Sequence, residues 1–255
     1  MNSAPPAPQP LVDAILAARA GGPRASRTAT PAPADRGAAY AAQATVARAL
    51  QATAGGFKVG MLADGTPMSA PIFAADIRAS GATWTLPHAG ALTVEVELAF
   101  RLAHDLPARP SRAYSRAEVA AAVEAVLIGV EILQSRFDGD GFPPFALHLA
   151  DNLGNAGYVV GASTRDFASR DLARLHCRCA LDGVERHDAI GGHPQDDPWR
   201  PLIACLDEGA MALGGLRAGQ VITTGTLLPP IVIDRALRLH ASLEGIGSVD
   251  VAFAR

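Results

Sequence analysis

Residues 93–100 read Thr-Val-Glu-Val-Glu-Leu-Ala-Phe, an unbroken alternation of period two. A strand turns successive side chains to opposite faces, so Val94, Val96, Leu98 and Phe100 share one face and Thr93, Glu95, Glu97 and Ala99 the other. The apolar face demands a core, and the chain must therefore build a sheet that packs against something. The other face sets two carboxylates side by side. Like charges that close repel each other unless a cation lies between them, and hard divalent ions such as Mg²⁺ and Mn²⁺ prefer oxygen ligands. Two solvated glutamates on an exposed strand face would give the same pattern.

Short runs of this kind, punctuated by glycine and proline, recur from residue 57 onward. Strands are predicted over 56–62, 82–86, 93–102, 126–133, 155–161, 173–181, 221–224 and 248–254. Helices are predicted over 115–125, where Ser115 and Glu118 form an S-x-x-E capping box, and over 201–212. Many short strands with few helices between them predict an α+β fold with a mixed, rolled-up sheet and not a doubly wound one. Neither G-x-G-x-x-G nor a P-loop occurs. Residues 1–9 are Pro/Ala-rich and read as frayed. Residues 11–19 have helical spacing and stop at Gly21-Gly22-Pro23; 24–33 read as a linker. Residues 35–50 read as a second helix, with Asp35 as N-cap and Tyr40, Val46 and Leu50 on its apolar face. The division expected is a helical subdomain over 1–54 and a mixed-sheet domain, carrying the chemistry, over 55–255.

A chain of 255 residues is long enough for one sizeable core, and its 18% of charged residues is ordinary for a globular protein. A net charge of −3 without a basic block argues against nucleic acid as a partner. No apolar run reaches the roughly 18–20 residues needed to span a bilayer, so no membrane association is expected. The N-terminus lacks a positive charge followed by an apolar stretch, which points away from secretion and toward the cytoplasm. Three cysteines cannot complete a disulfide framework. Cys177 and Cys179 alternate with His176, Arg178 and Ala180, and read as two reduced thiols on one strand face.

Three further features bear on chemistry. Glu131 lies in the aliphatic run 126–133. A buried carboxylate there must be paired, metal-bound or neutral, and Arg136 is one partner within reach in sequence. Lys58 sits among glycines and apolar residues in Gly55-Gly56-Phe57-Lys58-Val59-Gly60. Beside a metal, such a lysine would have a lowered pKa and could exchange protons; otherwise it snorkels to water. The segments 151–157 and 223–226 are turns whose amides and hydroxyls could hold a carboxylate, or simply turns. The seven histidines form no H-E-x-x-H pair, and His193 in Gly192-His193-Pro194 reads as a turn histidine satisfied by backbone.

The order Gly-x-Lys-Val-Gly (56–60), Glu95-x-Glu97, Glu131 in an aliphatic run, Ala150-Asp151-Asn152 and Thr224-Gly225 resembles the 2-oxopent-4-enoate hydratases of the fumarylacetoacetate hydrolase superfamily. The resemblance extends from about residue 39 to the C-terminus and includes Ala39-Tyr40-Ala41-Ala42-Gln43, Gly192-His193-Pro194 and Glu244-Gly245-Ile246-Gly247-Ser248. It implies a fold with a rolled mixed sheet, a homo-oligomer, and a Mg²⁺ or Mn²⁺ held by Glu95, Glu97 and Glu131 that chelates a small 2-oxo acid. It implies proton transfer by Lys58 and Asp76, and substrate contacts from Asn152, Asn155 and Thr224. The activity implied is addition of water to a 2-hydroxy-2,4-dienoate to give a 4-hydroxy-2-oxo acid. The alternatives it leaves are a 4-oxalocrotonate-type decarboxylase, a C–C bond hydrolase or a non-catalytic partner subunit. Many relatives have Ala-Ser after Asp-Asn; this chain has Leu153-Gly154, with Asn155 as the polar group nearest to the missing serine.

Overall fold

A computed structural model describes residues 8–86, 91–109, 112–207 and 214–255. Two helices, Gln9–Arg19 and Arg36–Ala49, precede the sheets. Asp35 caps the second, its carboxylate accepting from the Ala38 amide at 2.8 Å. Val46 is buried as expected, whereas Leu50 caps the helix end and is 42% exposed. Leu11, Ile15, Ala39 and Val46 share one apolar cluster with Ala70, Phe137, Leu149 and Leu153. Alanines at 38, 39 and 42 let this helix approach closely, and buried Gln43 donates to the Ser69 and Leu149 carbonyls at 3.3 and 2.6 Å. The N-terminal helices are therefore moored to the sheet by shared packing and by an amide that reaches two other elements.

The larger sheet is curled and mixed, and its strand order is not the chain order. Across it run Pro67–Phe73, Ala54–Met61, Val221–Thr226, Leu92–Leu102, Val123–Leu133, Asn155–Thr164 and Ile77–Ala79, with Ile231–Ile233 pairing to the start of Leu92–Leu102. The second sheet runs Val184–Ile190, His176–Leu181, Leu237–Leu243, Gly247–Ala254 and Ala82–Thr85. Val94, Val96, Leu98 and Phe100 all lie in the core cluster that includes Leu239, Val249, Val251 and Phe253 of the second sheet. The face expected to be apolar is thus the face that joins the sheets. Cys177 and Cys179 point into the same core as free thiols; burial pushes them up to about 12 and about 11, consistent with inert thiols and not with ligands. No helix among the described residues is long and apolar enough to cross a membrane.

Several elements differ from the sequence expectation. The helix expected over 115–125 spans Arg116–Ala122, and the next residues already pair as strand, Ala125 opposite Arg101. The helix expected over 201–212 is Trp199–Asp207; residues 208–213 lie outside the described residues, as do 1–7 of the expected frayed tail. The strand expected from residue 173 begins at His176, after the 3₁₀ turn Leu172–Arg174. Pro67–Phe73 holds two prolines and was not expected to be a strand. It lies at the sheet edge, where a missing N–H is tolerated. Val184–Ile190 is the other sheet's edge; its charged, non-alternating sequence carries no strand signal but suits an exposed edge.

The capping box at Ser115 forms in both directions: the Ser115 amide donates to Glu118 Oε2 at 3.0 Å, and the Glu118 amide to Ser115 Oγ at 3.3 Å. Ser115→Ala should cost about 1 kcal/mol and lower the Tm by roughly 2–4 °C in thermal unfolding. An unchanged Tm would mean that Arg109 and Arg112, which also bind Glu118, hold the helix start without the cap.

Candidate active site

Register assembles the site. Leu92–Leu102 runs antiparallel to Val123–Leu133, setting Glu95 directly opposite Glu131 and Glu97 opposite Gly129. On its other side Val221–Thr226 pairs antiparallel, with Thr226 opposite Glu97, and Ala54–Met61 pairs parallel to that strand, with Lys58 opposite Thr223. One carboxylate oxygen from each of Glu95, Glu97 and Glu131 lies within 4.8 Å of the others. Glu97 and Glu131 are buried; Glu95 is partly open.

Gly129 makes the approach feasible. A Cβ there would stand 2.2 Å from the Tyr158 hydroxyl, so the glycine admits the buried Tyr158 ring. Tyr158 hydrogen-bonds Thr223 at 3.4 Å, and the Thr223 hydroxyl donates to Glu97. Glu131 Oε1 receives the Lys58 ammonium at 2.9 Å and the Asn155 amide at 2.8 Å, while its buried Oε2 has no partner. Lys58 Nζ also lies 3.4 Å from the Leu153 carbonyl. That carbonyl is aimed by three successive left-handed residues, Asn152, Leu153 and Gly154 (φ 51°, 51° and 72°). A left-handed leucine costs roughly 1–2 kcal/mol, strain of a kind that collects at functional sites.

The electrostatics follow from this crowding. Burial, and then the other two carboxylates, push Glu97 well above the usual carboxylate range; burial raises Glu95 as well. For Lys58, burial opposes the charge, yet the fields of Glu131, Glu95 and Glu97 outweigh it and hold the ammonium above the ordinary lysine value. Three carboxylates face it, and the lowered lysine expected beside a metal would require a cation to offset their fields. The glutamate pairing also differs from the one open in sequence. Arg136 binds Asp151, and Glu131 takes Lys58.

A cavity of about 300 Å³ opens onto Lys58, Glu95, Glu97 and Thr224. Thr224 is held by its hydroxyl to the Leu98 carbonyl at 3.1 Å, and its own carbonyl accepts from buried His193 at 3.0 Å, the backbone satisfaction expected of that histidine. Asn155 stands behind the cavity against Glu131. Asn152 is buried beside Pro71 and does not line the cavity. Asp76 ends a 3₁₀ turn and is half-buried in a different cavity, with Arg19 and Arg136. The structure therefore brings Lys58, the three glutamates, Asn155 and Thr224 together and leaves Asp76 and Asn152 apart. It adds His148, Phe142 and Phe145, which no motif singled out, to the cavity lining; Leu153 of the turn 151–157 lines it too, and Thr223 of the turn 223–226 holds Glu97. His148 sits in the apolar helix Phe145–Ala150, where nothing local marks it.

The donor set fits a hard divalent cation. All three groups are carboxylates, they converge, and a buried carboxylate oxygen is left without a partner.

Comparison with known proteins places this geometry. The family model described as Fumarylacetoacetate (FAA) hydrolase C-terminal matches residues 41–253. The 2-hydroxyhexa-2,4-dienoate hydratase of Comamonas testosteroni is 31% identical over 176 residues, 68% of this chain and 65% of that protein. The 2-keto-4-pentenoate hydratase 2 of Dechloromonas aromatica (strain RCB) is 28% identical over 166 residues, 63% of this chain and 60% of that protein. The matches thus span less than two thirds of the length of either relative. The structure of 4-oxalocrotonate decarboxylase from Pseudomonas putida G7, complexed with magnesium and adipate, superposes with a TM-score of 0.78 over 96% of both chains at 19% identity, a likeness of fold.

Proposed function

The chain belongs to the fumarylacetoacetate hydrolase family, and on that premise we propose that it is a metal-dependent hydratase, adding water to a 2-hydroxy-2,4-dienoate to give a 4-hydroxy-2-oxo acid. The observation that carries this reading is the convergence of Glu95, Glu97 and Glu131 beside the Lys58 ammonium, with Glu95, Glu97 and Lys58 lining a cavity. The hydratase names of the two sequence relatives support it. Glu95, Glu97 and Glu131 would hold Mg²⁺ or Mn²⁺, which when bound supplies Lewis-acid polarisation of the substrate's carboxylate and 2-oxygen.

The chain's own groups do the rest. The dienol is first ketonised: its 2-hydroxyl proton leaves and a proton is delivered to the distal carbon of the diene. The resulting 2-oxo-3-enoate then accepts a water oxygen at carbon 4 and a proton at carbon 3. Lys58, an ammonium at the cavity wall, is the group placed to give and regain these protons, with Glu131 as its fixed partner. Lys58 takes this role alone, because Asp76 lines another cavity. Asn155 holds Glu131 in orientation, and Thr224 presents its strand end to the substrate. The proposal extends to a homo-oligomer working in the cytoplasm on a small 2-oxo acid, as the family resemblance implies.

Decarboxylation of a 2-oxo-3-enedioate is the second reading, favoured by the fold likeness to the decarboxylase and served by the same head-group chemistry. The test is ultraviolet-monitored turnover of 2-hydroxypenta-2,4-dienoate with Mg²⁺ or Mn²⁺, alongside 4-oxalocrotonate with product analysis. Metal-dependent formation of the 4-hydroxy-2-oxo acid is expected, and Lys58→Met should lower kcat by about 10²–10⁴-fold while metal binding persists. CO₂ release from the dicarboxylate alone would replace the hydratase reading with the decarboxylase.

A further inference from the structure

A second cavity, of about 750 Å³, is lined by none of the three glutamates. Its wall includes the end of the first helix, the segment that follows it and residues 134–139. The chain is tied down there: the Ala25 amide donates to the Arg136 carbonyl and the Asp138 amide to the Ala25 carbonyl, both at 2.8 Å. The charged side chains of the lining are Arg19, Arg24, Arg136, Asp76 and Asp138. Two of them are already engaged. Arg136 holds the Asp151 carboxylate, and Asp138 accepts from the Arg27 amide at 2.9 Å and pairs with its guanidinium at 3.8 Å.

Arg19 and Arg24 differ. Among the described residues neither has a hydrogen-bonded or ion-paired partner for its guanidinium. Arg19 lies over the Phe73 ring at 5.1 Å, and its buried Nε is left without an acceptor. Burial and the neighbouring Arg136 push its pKa down to about 10, which keeps it charged at neutral pH. Such a guanidinium has given up water without gaining a partner, and its planar fork matches the paired oxygens of a carboxylate or phosphate. Asp76 also has no hydrogen bond among the described residues, and burial raises it, which weakens its opposition to an anion. The unengaged charges are thus two cations against one carboxylate. Ser135 Oγ accepts from the Phe137 amide at 3.0 Å, which leaves its own proton to donate. No aromatic side chain lines the cavity, so a ring has nothing to stack on, and the volume is within the range of small-molecule sites.

We propose that this cavity binds a small non-aromatic oxyanion, a carboxylate or a phosphate, through Arg19 and Arg24. The inference stands independently of the hydratase reading. Calorimetric titration of the full chain with succinate and with inorganic phosphate, in EDTA and at fixed ionic strength, tests it. EDTA keeps cations from the three glutamates, so neither anion can be held there through a metal. At least one of the two should bind saturably, and which one tells the dicarboxylate from the phosphate source. Arg19→Gln and Arg24→Gln should each weaken that binding about tenfold or more, the loss of one charge-assisted contact. Arg48→Gln, the same change of charge at an exposed position of the second helix, should leave it within twofold. Arg24 lies outside the helices, so its variant keeps the test if Arg19→Gln fails to fold. The proposal is overturned if neither anion binds saturably, if Arg24→Gln binds as wild type does, or if Arg48→Gln weakens binding as much as Arg24→Gln.

Discussion

Glu97→Gln should stabilise the protein in EDTA while removing its response to Mn²⁺ and its turnover. Three carboxylates converge within 4.8 Å, and the two buried ones have little water to spread their charge. Glu97 is held well above the usual carboxylate range by burial and by its neighbours. A neutral amide keeps the shape and the Thr223 hydroxyl contact and drops the repulsion. The gain in EDTA should be on the order of 1 kcal/mol, or roughly 2–4 °C in Tm. Wild type should gain about 2.7 kcal/mol when Mn²⁺ is present at 100 times its Kd, and the variant much less. Loss of one ligand should lower kcat by about 10³-fold, the equivalent of about 4 kcal/mol. Thermal unfolding with and without Mn²⁺, paired with turnover, reads all three. A variant that keeps both the Mn²⁺ shift and full activity would remove Glu97 from the metal site.

Arg136→Met should be among the most destabilising single changes, though Arg136 touches neither the carboxylate cluster nor its cavity. Its guanidinium binds the Asp151 carboxylate and donates to the carbonyls of Gln134 at 2.6 Å, Asn155 at 2.8 Å and Asp151 at 2.9 Å. The Asp151 side chain is fully buried, so removing Arg136 strands a carboxylate away from water. Breaking one side of such a pair costs about 3–5 kcal/mol, whereas replacing both partners by apolar groups is often nearly neutral. The double variant Arg136→Met/Asp151→Leu should therefore be more stable than the single one in denaturant unfolding. Equal losses in both would show that the backbone carbonyls, and not the stranded charge, set the cost. Because Arg136 also holds the Asn155 carbonyl, and Asn155 holds Glu131, the single variant should bind Mn²⁺ more weakly than wild type at temperatures where both are folded.

Local pattern carried a definite part of this structure. Period-two alternation assigned Val94, Val96, Leu98 and Phe100 to the core and Glu95 and Glu97 to a shared face, because strand geometry alone dictates which side chains turn together. The caps at Asp35 and Ser115 were legible for the same reason: each is a contact between residues three apart. Glu131 could be read as buried from its aliphatic neighbours, and the motif order identified the family. What joins those pieces is long-range. Whether Glu131 met Arg136 or Lys58 depended on the parallel pairing of Ala54–Met61 with Val221–Thr226, which no local period encodes. Asp76, equally acidic and equally plausible beside Lys58, was carried to another cavity by the turn after the edge strand. His148, Phe142 and Phe145 carry no motif, and they line the cavity only because the short helix after Pro144, with the loop before it, packs there. Periodicity and capping act within a few residues and are written in the chain. Register, strand order and the walls of the cavity come from contacts between distant segments, and these exist only once the sheet has closed.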